Sequence, residues 1–295
     1  MKPAQRGIRV WPGKLMCGEN IDRVIYIDIP LMEYRRAWDL QTRLVAARID
    51  GTLNADVILS LEHPRVYTLG RRGGRENLTV SEDFLKEKGI SVVQVERGGN
   101  ITYHGPGQLV VYPILKLASH HLSVTGYVDA LERIMVNTAT AWGIQAKGDE
   151  KNRGVWLGSA KLGSIGITVR RGISFHGLAL NVNLSLEPFH WINPCGLSGI
   201  SMTSIADLVD RGVDAVDMVD ARQRMRQEFC RELETEVVHL WLDDPALDDL
   251  ALENLTSPES LLLQPGDETV SPGDITILKT ILRSVYDECP NINTD

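Results

Sequence analysis

Apolar residues change period several times along the chain, and each change predicts an element. Val24 to Ile29 is a nearly continuous apolar run, the mark of a buried strand. It is followed by Tyr34, Trp38, Val45 and Ile49, with Ala37 and Leu44, spaced as one face of a helix that stops near Gly51. Val57–Leu61 and Val66–Gly70 read as strands joined through Glu62-His63-Pro64, and Ser81–Lys88 as a short helix before a strand at Ile90–Val95. Arg97 to Gln108 is dense in glycine and reads as a shaped loop ahead of the strand Leu109–Leu115. Ser123 or Thr125 can cap a helix through Val128, Leu131, Met135 and Ala139 that ends by Gly143.

Strands then follow at Gly154–Leu157, Leu162–Val169 and Ile173–Asn183, and a helix is predicted over Ala221–Val238 with Met225, Phe229, Leu233 and Val237 on one face. Strands and helices do not alternate strictly, so the fold class is α+β with a mixed β-sheet. From Asp243 the composition shifts to Asp, Leu, Pro and Gly, which divides the chain into a body, 1–242, and an acidic appendage, 243–295. The appendage closes on a stripe at Ile277, Leu278, Ile281 and Val285, with Asp274 as the expected cap.

Charge follows the same division. The net charge is −8, but residues 243–295 alone carry −10, leaving the body at +2. Local basic runs, Arg71-Arg72-Gly73-Gly74-Arg75 and Arg170-Arg171, therefore suit an acidic partner although the whole chain is acidic. With 43% hydrophobic and 24% charged residues, and no apolar run near the ~20 that a membrane helix needs, a soluble folded chain is expected. The basic N-terminus lacks an apolar stretch behind it, so a cytoplasmic location is expected. Cys17, Cys195, Cys230 and Cys289 form no Cys-x-x-Cys pair, and neither a disulfide framework nor a metal site is expected.

Three features carry chemistry. The glycine loop has neither phosphate-loop nor dinucleotide spacing; its missing side chains let backbone approach a ligand, with Arg97 beside it. Cys195, between Pro194 and Gly196, is a thiol held on a loop, and as a nucleophile it needs a nearby base or cation from Lys161, His176 or His104. Lys161 is a lone cation in a strand of small residues; burial lowers a lysine's pKa, which would let it exchange a proton with a thiol. Packed cysteine, edge lysine and core histidine remain the plain structural readings of these residues.

Together, Leu61-Glu62-His63-Pro64, Arg97-Gly98-Gly99 with Thr102 to Gln108, Gly158-x-x-Lys161-x-x-x-Ile165-Gly166, Phe175-His176-Gly177 to Val182, and Ile192-Asn193-Pro194-Cys195-Gly196 resemble the lipoyl (octanoyl) transferase family. The resemblance covers about residues 22 to 205 and does not reach the acidic appendage. It implies a domain like the biotin and lipoate protein ligases. It also implies transfer of an octanoyl group from octanoyl-acyl carrier protein to a lysine ε-amine through a cysteine thioester, in lipoate biosynthesis. The acceptors implied are lipoyl domains of the glycine cleavage H protein and of 2-oxo acid dehydrogenase acyltransferase subunits; nucleic acid, membrane and cofactor are not implied. Cys195 becomes the acyl-accepting nucleophile and Lys161 the general acid/base. Arg97, Gly98, Gly99, Tyr103, His104, Gly105, Gly163, Ser164, Ile165, Gly166, His176 and Gly177 become the lining of the acyl pocket. Two other functions fit the same residues: an ATP-dependent ligase, with no use for Cys195, and a non-enzymatic acyl or carrier-protein binding module.

Overall fold

The computed structural model describes residues 24–193, 200–209, 216–235, 237–242 and 270–287. Six helices are described: α1 (Tyr34–Asp50), α2 (Glu82–Glu87), α3 (Val124–Thr140), α4 (Ile205–Leu208), α5 (Met218–Glu232) and α6 (Pro272–Asp287). The strands are β1 (Val24–Ile29), β2 (Asp56–Leu61), β3 (Val66–Leu69), β4 (Ser91–Gln94), β5 (Ile101–His104), β6 (Gln108–Ile114), β7 (Lys147–Gly148), β8 (Gly154–Leu157), β9 (Ala160–Arg170), β10 (Ile173–Asn181), β11 (Ser201–Met202) and β12 (Val237–Trp241).

The main sheet runs β12-β1-β2-β6-β10-β9-β8-β7, with β11 paired to β9. β12, β1 and β2 are parallel neighbours, and from β2 through β6 to β7 the pairs are antiparallel. A second sheet, β4-β3-β5, stands beside it. The architecture is the expected α+β arrangement with a mixed sheet.

Period-two alternation explains why β1 is apolar at every position but Asp28. Ile25, Ile27 and Ile29 enter one core with α1 and α6, whereas Val24 and Tyr26 enter another with α3 and α5. A strand covered by helices on both faces has no polar side. The small sheet closes a third core around Tyr67, Tyr103 and Phe189.

Three sequence expectations need correction. The late helix begins at Met218, where Asp217 Oδ1 accepts from Val219 N at 2.9 Å, and ends at Glu232. Val237 and Val238 belong instead to β12, parallel to β1. Their spacing from Phe229 matches a helix, but the chain turns at Glu234, φ +48°, and β-branched residues then complete the sheet. The glycine-rich stretch also holds a strand, β5, antiparallel to β3. Finally, Ser271 caps α6: its Oγ accepts from Asp274 N at 3.0 Å, while Asp274 Oδ1 accepts from Asn54 N at 2.7 Å. That bond, and burial of Ile275, Leu278, Leu282 and Val285 in the core of α1, fasten α6 to the body.

Candidate functional site

A cavity of about 500 Å³ opens between the main sheet, the small sheet and the start of α1. Apolar wall comes from Val110 of β6, Ile165 and Ile167 of β9, and Leu178 and Ala179 of β10. Polar groups mark particular places on it.

Lys161 begins the described wall of β9 and is 3% exposed. Its Nζ donates to Arg153 O at 3.0 Å and lies 4.8 Å from the centre of the Trp156 ring. Room for its stem depends on Gly154: that residue has φ +132°, and a Cβ there would stand 2.7 Å from Lys161 Cε. The Arg153 carbonyl and the Trp156 ring hold the buried amine at the cavity wall.

Arg97 does not project free into the cavity. Its Nη2 donates to Thr68 O at 2.6 Å and Thr68 Oγ1 at 2.7 Å, Nε donates to the same hydroxyl at 3.1 Å, and Nη1 donates to Gly98 O at 3.0 Å. The guanidinium thus binds the loop to β3, and Gly98 N donates to Ile167 O at 2.9 Å to bind the same loop to β9. Gly99, at φ +87°, takes a conformation that favours glycine. Gly177 answers a different need, since a Cβ there would meet Val111 O at 2.1 Å. The glycines of the two motifs bring β6, β9, β10 and the loop into close contact around the cavity.

Opposite them lies a cluster of buried rings. His63 Nδ1 donates to Met32 O at 2.7 Å, so its Nε2 accepts from the Tyr112 hydroxyl at 2.6 Å. His104 Nδ1 donates to Gln108 Oε1 at 2.7 Å, and its ring stacks on Tyr34 at 5.9 Å. Burial pushes His63 down to about 4, drives His104 well below the ordinary imidazole range, and raises the Tyr34 phenol to about 12. The rings are neutral near pH 7. His176, 1% exposed, is neutral for the same reason and adopts φ +55° within β10.

The cavity brings together Arg97, Gly98, Gly99, His104, Lys161, Ser164, Ile165, Gly166, His176 and Gly177 of the sequence-selected residues. Tyr103, Gly105 and Gly163 do not line it. Tyr103 packs on Tyr67 and Phe189, Gly105 backs onto the Tyr103 ring, and Gly163 faces Met135 of α3. Cys195 lies outside the described residues. Its flanks are anchored: Asn193 N donates to Asn77 O at 2.8 Å, and Thr203 N donates to Lys161 O at 3.0 Å. Of the basic residues, Arg72 lines the cavity, whereas Arg75 pairs with Glu82 and Arg170 with Glu96 at 3.7 Å. Cys230 sits half-buried in α5, its thiol pushed up to about 11 by burial.

Sequence reasoning overlooked Tyr34, Gln41 and Tyr112 at this site. Gln41 carried a usable signal: it is a polar residue four positions after Ala37 in an otherwise apolar stripe. No described helix is long and apolar enough to cross a membrane.

Comparison with known proteins gives a consistent result. The lipoyl protein ligase A/B catalytic domain matches residues 33–230. An octanoyltransferase of Desulfotalea psychrophila is 48% identical over 201 residues, covering 68% of this chain and 89% of the relative. Among solved structures, a putative lipoate protein ligase from T. acidophilum with bound lipoic acid is similar with a TM-score of 0.63 at 14% identity, over 91% of this chain and 95% of that one. A bipartite lipoate protein ligase from Thermoplasma acidophilum, studied with its E2 lipoyl domain, aligns with a TM-score of 0.61 at 16% identity, over 92% and 93% of the two chains. At these identities the solved structures speak for the fold alone.

Proposed function

The chain belongs to the lipoyl protein ligase A/B catalytic domain family and is an acyltransferase, and from that premise we propose that it transfers an octanoyl group from octanoyl-acyl carrier protein to a lysine on lipoyl domains. The observation that supports this most is Lys161, buried at the wall of a cavity of about 500 Å³ that has an apolar stretch along β6, β9 and β10. Burial of an acyl chain contributes about 0.8 kcal/mol per methylene, so binding needs no charged contact along the chain.

The chemistry uses two residues of this chain. Lys161 Nζ takes the Cys195 thiol proton, and the thiolate attacks the carbonyl carbon of the donor thioester. The carbon–sulfur bond to the carrier breaks, and the carrier thiolate leaves with the proton returned from Lys161. A lysine ε-amine of the lipoyl domain then attacks the Cys195 thioester, its proton passes through Lys161 to the cysteine sulfur, and the amide departs. The donor is already a thioester, so the cycle needs no ATP. The family resemblance points to lipoyl domains of the glycine cleavage H protein and of 2-oxo acid dehydrogenase acyltransferase subunits as acceptors.

Incubation with octanoyl-acyl carrier protein, followed by mass spectrometry of peptides, tests this. The expected result is one octanoyl group on Cys195 that chases to a lipoyl domain, and its absence in Cys195→Ser. Product made only from free octanoate and ATP overturns it.

A further inference from the structure

Lys161 is held by a peptide group, and that peptide is held in turn by a carboxylate. The amine donates to Arg153 O at 3.0 Å. The N–H at the other end of the same amide belongs to Gly154 and donates to Glu132 Oε1 at 2.8 Å. A single planar peptide unit therefore links the lysine to the acid.

Glu132 is out of character for its place. It lies in α3 and is 7% exposed, and its sequence neighbours Leu131, Ile134 and Met135 enter the core shared with α5. A buried carboxylate is kept where it is paired. Here Arg153 Nη1 donates to Glu132 Oε2 at 3.2 Å and to Asp129 Oδ1 at 2.6 Å, so the side chain of Arg153 steadies the acid while its backbone carbonyl serves the lysine. Glycines make room on both sides of the link. A Cβ on Gly148 would stand 2.7 Å from Glu132 Oε2, and one on Gly154 would stand 2.7 Å from Lys161 Cε.

The two hydrogen bonds run in the same direction, from amine to carbonyl and from amide to carboxylate. A negative charge at the N–H end of an amide pushes electron density towards its oxygen, so the bonds strengthen one another. Arg153 O becomes a better acceptor for Lys161 Nζ, and the peptide plane is pinned at both ends. Removing the carboxylate costs the buried Gly154 N–H this acceptor and lets the carbonyl tilt away from the lysine.

We propose that Glu132 is a positioning residue that orients Lys161 through the Arg153–Gly154 peptide. This rests on the acyl-transfer reading and adds to it a residue of α3 that acts on the proton-transferring amine without touching substrate.

The test compares octanoyl transfer from the carrier protein by full-length wild type, Glu132→Ala, Glu132→Gln, Lys161→Ala and the Glu132→Ala, Lys161→Ala double variant, each checked by thermal unfolding. Glu132→Ala should lower kcat by about tenfold, the effect of losing one hydrogen bond that orients the amine. KM for the carrier donor should stay within about twofold, because the substrate's own contacts are unchanged. Glu132→Gln keeps an oxygen for the Gly154 N–H and should bring kcat back to within about threefold of wild type. With Lys161 already replaced by alanine, Glu132→Ala should change the residual rate by less than about twofold, since no amine is left to orient.

A second readout needs no turnover. In glycine-labelled protein the NMR signal of the Gly154 amide proton should move upfield in Lys161→Ala as well as in Glu132→Ala, because loss of either bond weakens the other. Should Glu132→Ala not fold, the shift in Lys161→Ala decides. A Gly154 amide that ignores Lys161→Ala, a Glu132→Ala kcat within about twofold of wild type, a Glu132→Gln as slow as Glu132→Ala, or an equal loss in the Lys161→Ala background overturns the proposal. Absence of transfer by a wild type whose Gly154 amide does respond to Lys161→Ala overturns the functional reading instead, and the link from Glu132 to Lys161 stands.

Discussion

Two buried polar clusters lie on the main sheet, and they are built in opposite ways. At the cavity, Tyr34, His104, Tyr112 and His176 line the wall as neutral rings, with His63 bonded to Tyr112 behind them, and the two His176 ring nitrogens are buried without a hydrogen-bond partner. Near α5, Asp28 of β1 is fully buried and charged. It accepts from Arg226 at 3.1 Å and from His239 at 2.7 Å, and Arg222 stands 3.4 Å away while also donating to Ser60 O at 2.8 Å. Burial works against the Asp28 carboxylate, yet the His239 hydrogen bond and the nearby cations bring it below the ordinary range. The charged cluster has its partners supplied from within and clamps β12, β1, β2 and α5 together. The ring cluster leaves capacity unused where a ligand would sit. The clamp satisfies its buried charge from within the fold, whereas the cavity keeps neutral rings at its wall.

The largest expected effect lies on the cavity side. Lys161→Ala should cut octanoyl transfer by about 10²–10⁴-fold, the usual contribution of a proton-transferring group. Lys161→Arg should not restore it, since arginine stays charged. Stopped-flow acylation and single-turnover transfer would both report the loss, and an arginine variant of full rate reduces Lys161 to an electrostatic role.

Next comes the clamp. Asp28→Ala leaves Arg222 and Arg226 buried without their carboxylate and should lower stability by about 3–5 kcal/mol in urea unfolding. Turnover per folded molecule should change far less. An Asp28→Ala protein as stable as wild type would erase the distinction between the clusters.

The third prediction separates them by pH. His63 has a folded pKa of about 4, below its unfolded value, so the unfolded chain binds its proton first as pH falls. Stability contributed by neutral His63 is present above about pH 6.5 and falls as pH drops towards 4, with a slope of up to about 1.4 kcal/mol per pH unit. Asp28 is also shifted down, but in a lower pH window: its contribution is present above the unfolded value of about 3.9 and is lost only as pH falls further, through the folded value. Urea midpoints between pH 7 and 4 should therefore decline in wild type and decline less steeply in His63→Phe. A flat wild-type profile across that window contradicts a neutral His63.

Much of this was legible in the chain, for identifiable reasons. β1 and β2 declare themselves because they are buried on both faces, and α3 because Ser123, whose Oγ accepts from Gly126 N at 3.0 Å, stands before a 3.6-residue stripe. Arg97, Lys161 and His176 were chosen by motif and do line one cavity. Tyr103 falls outside the cavity because β5 is a strand where the glycine-rich sequence predicts loop. Once it is a strand, alternation sends Thr102 and His104 to the cavity and Tyr103 to the small core. Gly163 fails beside Ser164 for the same reason. Gln41 shows half of its role: a polar position in the apolar stripe of α1 marks it as buried, but its partner is the His176 backbone amide, 135 positions away. Cys195 stands outside the described residues, and its chemistry rests on the motif.

The seating of β1 has a consequence for synthesis of the protein. Its neighbour β2 is translated soon after it, but the other edge pairs in register with β12, Val24 against Val237. Until that late segment leaves the ribosome, the strand offers a row of unpaired amides and carbonyls between two oily faces, a template for another chain. Closing so long a loop is also slow compared with forming hairpins. The nascent chain therefore carries this edge unpaired through most of its own translation.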